Sequence, residues 1–331
     1  MDTAVLVISV LLAVLLPVTG WHFYCRVKTP QINLKGANVL ITGGSEGIGL
    51  SVAKACMTKG ANVAILARNK EKLSRAAETL SKLKSPGTVV TISADVSKYS
   101  VMEREIETAL SEAGWKELDA VVCNAGVESV GPMEMVSIEE YQRIMNINYF
   151  GVVNTIKTTL PFLKRNKSST KHGRVLVNCS LLGLMGMAYY SAYSASKWAV
   201  RGFVESIYAE MAAMNVFLSI VYPPDVKTSQ LQREKASDIP KSVKDLSAQA
   251  DVFEPDDVGR DMVLMLEKGQ YTRSWGMDGW MLLNETAGFG ITHSLMSTCT
   301  QIFGMGLFRG IAMWYIQDMY RVCRDSFGKS R

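Results

Sequence analysis

The sequence predicts an α/β fold of the doubly wound kind, with a parallel sheet covered by helices on both faces, and three observations predict it. Between about residues 34 and 269, short apolar runs alternate with longer helical stretches, the pattern of repeated strand–helix–strand units. Runs such as NVLIT and RVLVN are apolar almost throughout, as strands buried on both faces must be. The first run passes straight into a glycine-rich turn and a helix-compatible segment, the arrangement that opens a dinucleotide-binding unit.

Six strands are expected in order, at 37–42, 62–67, 89–93, 120–123, 174–179 and 216–222. Helical stretches separate them and no linker interrupts the series, so one domain over 34–270 is predicted. Its first turn reads Thr42-Gly43-Gly44-Ser45-Glu46-Gly47-Ile48-Gly49. Glycines let the backbone turn tightly and approach a pyrophosphate, whose charge meets free N–H groups and the positive end of the helix dipole. Gly43 to Gly47 also satisfies the G-x-S-x-G pattern of a hydrolase nucleophile elbow. A hydrolase would need a downstream acid and His, and the only downstream histidines are His172 and His293, the latter in an apolar C-terminal stretch.

The second strand ends in Ala67-Arg68-Asn69, where NAD-binding folds usually carry an acid for the ribose hydroxyls. An Arg there can pair with a 2′-phosphate, so NADPH is the expected cofactor. Further on, Tyr193-Ser194-Ala195-Ser196-Lys197 opens a helical stretch, and the i, i+4 spacing places Tyr193 and Lys197 on one face. A phenol near pKa 10 is a poor acid at neutral pH, and a neighbouring ammonium lowers that value. The pair suits proton donation to a ketone undergoing reduction.

The ends have a different character. The formal charge of +5 has no long basic run behind it, which argues against nucleic acid as a partner. The hydrophobic share of 48% is high for a wholly soluble chain, and much of the excess is terminal. No charged residue occurs from Thr3 to Gly20, a run long enough to cross, or nearly cross, a hydrocarbon core of about 30 Å. It begins with Met1-Asp2 and is followed by Arg26, Lys28 and Lys35. That order favours an uncleaved anchor over residues 1–25 with the rest of the chain in the cytosol. Residues 271–331 form a C-terminal region expected to associate with the membrane. Thr286 to Phe308 has no Asp, Glu, Lys or Arg, and LFRGIAMWYIQDMYRV mixes apolar and charged positions as an interfacial helix does. Six scattered cysteines without a CxxC pair predict neither a metal site nor a disulfide framework.

These motifs, in the order TGGSEGIG, Asp95-Val96, Asn124-Ala125-Gly126, Asn148, Ser180 and YSASK, resemble the short-chain dehydrogenase/reductase family over residues 36 to 270. The resemblance implies a Rossmann-type fold in which Gly43, Ser45, Gly47, Ile48 and Gly49 hold the pyrophosphate, Arg68 the ribose end, Asp95 and Val96 the adenine, and Asn124 lies beside the cofactor. It further implies Tyr193 as general acid, Lys197 as ribose ligand, Ser180 as partner of the substrate oxygen, Asn148 as support of a water-linked proton path and Thr228 as a carboxamide contact. Pairing of subunits through long helices is common in that family. Two departures stand out: Glu46 sits where NADPH-preferring members often carry a basic residue, and Pro223-Pro224-Asp225 replaces the commoner Pro-Gly. The N-terminal run, LARN, VYPPD, GMDGWML and the tail MGLFRGIAMWY look like the endoplasmic-reticulum branch of the family that reduces 3-ketosphinganine. That likeness implies a long-chain ketone lipid as substrate. The alternatives are another membrane-soluble ketone (steroid, retinoid or 3-ketoacyl-CoA) and a cofactor-bound scaffold without turnover. The polar segment 227–251 is expected to cover the site as a lid.

Overall fold

The computed structural model describes residues 29–164, 172–236, 251–288 and 294–328, with Ser9, 12–13, 15–20 and 22–23 near the N-terminus. Seven parallel strands form one sheet in the order β3-β2-β1-β4-β5-β6-β7. They are β1 Asn38–Thr42, β2 Asn62–Ala67, β3 Val89–Ser93, β4 Ala120–Cys123, β5 Gly173–Asn178, β6 Val216–Tyr222 and β7 Thr272–Ser274. The order reverses between β1 and β4, which opens a crevice at their carboxyl ends, where ligands of such sheets bind.

Six strands match the expected positions within one residue. The seventh does not follow from apolar patterning, because Thr272-Arg273-Ser274 is short, polar and half-buried. It forms because Tyr271 O accepts the N–H of Ile220 at 2.7 Å and β6 offers a free edge, so the sheet continues past residue 270. The Rossmann-type reading stands: α1 Gly47–Thr58, α2 Lys70–Ser81 and α8 Pro255–Lys268 join a buried apolar cluster with Val39, Ile41 and Val63. On the other face, α3 Tyr99–Glu112, α5 Gly151–Lys164 and α6 Ser191–Ala213 share a cluster with Leu40, Val121 and Val175. α4, Ile138–Met145, runs into α5 through a π-helical turn at Asn146–Phe150. α7, Ser229–Ala236, lies over the carboxyl end of the sheet. The remainder of the expected lid, 237–250, falls outside the described residues.

The C-terminal helices are α9 Gly276–Glu285, α10 Leu295–Cys299 and α11 Met305–Gly328. Trp280 of α9 meets Phe308 of α11 edge to face at 5.7 Å. His22 Nδ1 lies 2.8 Å from Thr298 Oγ1, which brings the N-terminal helical residues to α10. Leu16, Phe23, Met296, Leu307 and Trp314 remain exposed. Among the described residues no helix is long and apolar enough to cross a membrane, and most of the expected anchor over 1–25 lies outside them. Cys56, Cys123 and Cys179 are free thiols in the core, where cysteine packs as a small hydrophobe.

Candidate active site

The crevice between β1 and β4 is a cleft of about 780 Å³. Its cofactor wall starts at Thr42, whose Oγ1 accepts the N–H groups of Asn124 at 3.0 Å and Ala125 at 3.2 Å, stitching the two strand ends together. Gly43 and Gly47 have φ of +67° and +56°, a region that L side chains rarely enter. A Cβ on Gly49 would stand 2.2 Å from Gly43 O and 2.5 Å from Asn124 Nδ2. Only glycine therefore lets α1 seat its N-terminus against the turn. The result is a concave backbone surface with the positive end of a helix dipole behind it, which fits a pyrophosphate.

The wall continues at Arg68, whose Nη1 is 3.8 Å from Asp95 Oδ2. Asp95 Oδ1 also accepts from Ser97 N at 2.9 Å and Ser97 Oγ at 2.8 Å, which closes the loop after β3. Lys72, which motif reading did not single out, donates to Glu46 Oε1 at 2.8 Å, and Ser229 Oγ of α7 donates to Glu46 Oε2 at 2.7 Å. Burial pushes the Glu46 carboxyl up, yet the bonds from Lys72 and Ser229 prevail and hold it below its usual range. The only sequence signal for Lys72 was its position in the first turn of α2, which Asn69 Oδ1 caps by accepting the Lys72 N–H at 2.8 Å.

On the opposite wall stand Ser180 and Tyr193. The extended backbone at Ser180 follows β5, and its Oγ accepts the Leu182 N–H at 3.2 Å. The Ser180 hydroxyl stands near enough to the Tyr193 phenol to lower its pKa, and both side chains line the cleft. Lys197, one turn along α6, is 5% exposed. Its Nζ lies 5.4 Å from the Tyr193 ring centre and 3.4 Å from Asn178 O. Asn178 Nδ2 in turn donates to Asn124 Oδ1 at 2.8 Å, and Asn124 Nδ2 to Gly43 O at 3.3 Å. A continuous polar chain thus ties the lysine to the glycine turn, through an Asn178 that the motifs had not marked.

Gly43, Ser45, Gly47, Ile48, Arg68, Asp95, Val96, Asn124, Ser180, Tyr193 and Thr228 all line this one cleft. Gly49, Lys197 and Asn148 are buried around it. Asn148 sits in the π-helical turn, where it spends its amide locally: Nδ2 donates to Val127 O at 2.8 Å and Ser196 Oγ at 2.9 Å, and Oδ1 accepts the Val127 N–H at 2.9 Å. Thr228 packs over the turn, 3.1 Å from where a Gly47 Cβ would be, and its Oγ1 accepts the Leu231 N–H at 3.3 Å.

One electrostatic expectation is reversed. Burial pushes the Tyr193 phenol above its ordinary value, and the neighbouring Ser180 hydroxyl offsets this only in part. Burial also pulls Lys197 below its ordinary value, because removing water penalises whichever form is charged. Proximity of an ammonium alone does not make the phenol acidic at this depth.

A glycine cradle, a serine–tyrosine hydroxyl pair and a buried lysine around one cleft are an arrangement for carbonyl–alcohol chemistry beside a dinucleotide. A family model described as short chain dehydrogenase matches residues 37–239. The chain belongs to the short-chain dehydrogenase family. As a member it is an oxidoreductase whose fold takes a nicotinamide dinucleotide. It is 34% identical over 301 residues to 3-ketodihydrosphingosine reductase of Bos taurus, covering 90% of this chain and 89% of that one. It is 29% identical to a 3-dehydrosphinganine reductase of Arabidopsis thaliana, covering 89% and 88%. Among solved structures, a 3-oxoacyl-[acyl-carrier protein] reductase with bound NAD from Brucella melitensis superposes with a TM-score of 0.61 at 26% identity, covering 73% of this chain and 90% of that one.

Proposed function

We propose that the protein reduces 3-ketosphinganine to sphinganine with NADPH, at the cytosolic face of the endoplasmic reticulum membrane. The observation that carries the reading is that the Ser180 and Tyr193 hydroxyl side chains line the same cleft as the glycine cradle. The likeness to reductases of this lipid ketone, which extends over nine-tenths of the chain, supports the choice of substrate. When bound, the cofactor supplies a hydride. Negative charge then develops on the carbonyl oxygen, which the Ser180 hydroxyl stabilises and the Tyr193 hydroxyl neutralises by giving up its proton. Lys197 holds positive charge next to the resulting phenolate and binds the nicotinamide ribose. Asn148 serves as a positioning residue through Val127.

Arg68 just after β2 and Lys72 in the first turn of α2 support NADPH over NADH, since Ala67-Arg68-Asn69 ends that strand without the carboxylate that would meet a ribose diol. Lys72 already neutralises Glu46, so that carboxylate does not oppose a 2′-phosphate as a free charge. Residues 1–25 act as the anchor, 34–270 as the catalytic unit and 271–331 as a membrane-associated region. Exposed Leu16, Phe23, Leu307 and Trp314 support that contact, as large apolar side chains open to water favour a nonaqueous partner. NADPH consumption by purified protein with 3-ketosphinganine in liposomes tests the reading, and a native protein inactive on this ketone rejects it.

A further inference from the structure

Helix α7 crosses the cleft and is tied to both of its walls. On the far wall, Gln230 Nε2 donates to Glu128 Oε2 at 2.9 Å, and Glu234 accepts a hydrogen bond from the hydroxyl of Tyr190, the residue at the N-cap of α6. On the cofactor wall, Thr228 packs over Gly47 just before the helix begins. Ser229, its first residue, donates from Oγ to Glu46 Oε2 at 2.7 Å. Glu46 and Gly47 belong to the turn that fits a pyrophosphate, so the segment that carries the coenzyme also carries one end of α7.

The two oxygens of the Glu46 carboxylate face different ways. Oε2 holds α7, whereas Oε1 accepts from Lys72 Nζ at 2.8 Å. Lys72 and Arg68 line the same end of the cleft, the end that meets a coenzyme 2′-phosphate in the NADPH reading above. A phosphate monoester competes well for that ammonium, because it brings up to two negative charges and three strong acceptor oxygens against the single charge of a carboxylate. Lys72 drawn to the phosphate leaves Ser229 as the side-chain donor to Glu46 among the described residues. The phosphate also repels the carboxylate away from itself, which is toward α7.

We propose that Glu46 is a positioning residue that relays the coenzyme's 2′-phosphate to α7: phosphate on Lys72 turns the carboxylate to Ser229 and fastens the helix across the cleft. A group remote from the transferred hydride thereby improves the fit of the ketone, the use of distant binding energy that orients a reacting centre. This rests on the NADPH preference proposed above, and its first test needs no ketone.

That test is hydrogen exchange of the α7 amides in the full chain, which reports local opening of the helix. Saturating adenosine 2′,5′-bisphosphate, which carries the 2′-phosphate without a nicotinamide, is expected to slow this exchange about threefold relative to saturating adenosine 5′-monophosphate, the scale of one partly exposed ion pair. Equal exchange with the two nucleotides, when the bisphosphate binds the tighter, overturns the relay alone. Equal affinity for the two rejects the NADPH preference, and the relay falls with it. Glu46→Gln keeps the shape of the carboxylate without its charge, and Ser229→Ala removes the donor on α7. Each is expected to abolish the difference between the nucleotides, and a difference that persists in both variants overturns the proposal. In turnover, the KM of the native enzyme for 3-ketosphinganine should be about threefold lower with NADPH than with NADH, and Glu46→Gln should level the two values. A KM that rises equally with both coenzymes in that variant would make Glu46 a merely structural residue and overturn the relay.

Discussion

The two walls of the cleft are made in different ways. On the cofactor side, backbone groups do the binding, and Gly43, Gly47 and Gly49 are required because a Cβ would strike backbone or force a strained φ. On the opposite side, side chains from distant segments make the surface, with Glu128 and Gln230 meeting across 102 positions of sequence. The first wall is rigid and indifferent to the substrate. The second can be rewritten residue by residue.

The sharpest way to separate the walls is Tyr193→Phe. Loss of the proton donor should lower kcat by about 10²–10⁴-fold while NADPH still quenches or shifts protein fluorescence as in the native protein. Parallel loss of cofactor binding would mean that the two walls are not independent.

Gly49→Ala attacks the other wall. A methyl group 2.2 Å from Gly43 O must displace α1 from the turn, and overpacking of this kind costs about 1–3 kcal/mol. Thermal denaturation should register that loss, along with weaker NADPH binding, and an unchanged melting temperature would contradict the close packing. A smaller and more selective effect is expected of Arg68→Ala. The ratio of kcat/KM for NADPH to that for NADH should fall roughly tenfold, the size of one charge-assisted bond to a 2′-phosphate, whereas equal losses with both cofactors would remove Arg68 from cofactor choice.

The smallest effect concerns stability. Burial first, and the nearby Glu234 charge with it, push the Glu128 carboxyl up to about 8 from its ordinary 4.5, so the folded chain keeps a proton that the unfolded chain has released. Stability from this group is full below pH 4.5 and drains as pH rises toward 8. Glu128→Gln cannot titrate, so its melting temperature should gain on that of the native protein between about pH 5 and 8 and then hold a constant lead. A gap independent of pH would show that the carboxyl is not held protonated.

Legibility in the sequence divides along the same line. The six principal strands, the glycine turn and the tyrosine–lysine spacing could be read directly, because apolar runs, φ preferences and helical periodicity act within a few residues of chain. β7 could not, since Thr272-Arg273-Ser274 has no strand pattern and pairs only because β6 leaves an edge open. Lys72 and Asn178 were equally silent: one is an ordinary helix-surface lysine until Glu46 faces it, and the other a strand-end asparagine until Asn124 and Lys197 reach it.

By itself the sequence determined that a dinucleotide cradle and a tyrosine one helical turn from a lysine would occur on a parallel α/β sheet, since covalent geometry and local sterics dictate both. Tertiary structure alone decided that burial would raise the phenol's pKa and that Glu128 would meet Gln230. Desolvation and charge pairing depend on which distant segments exclude water from a group, and no spacing along the chain encodes that.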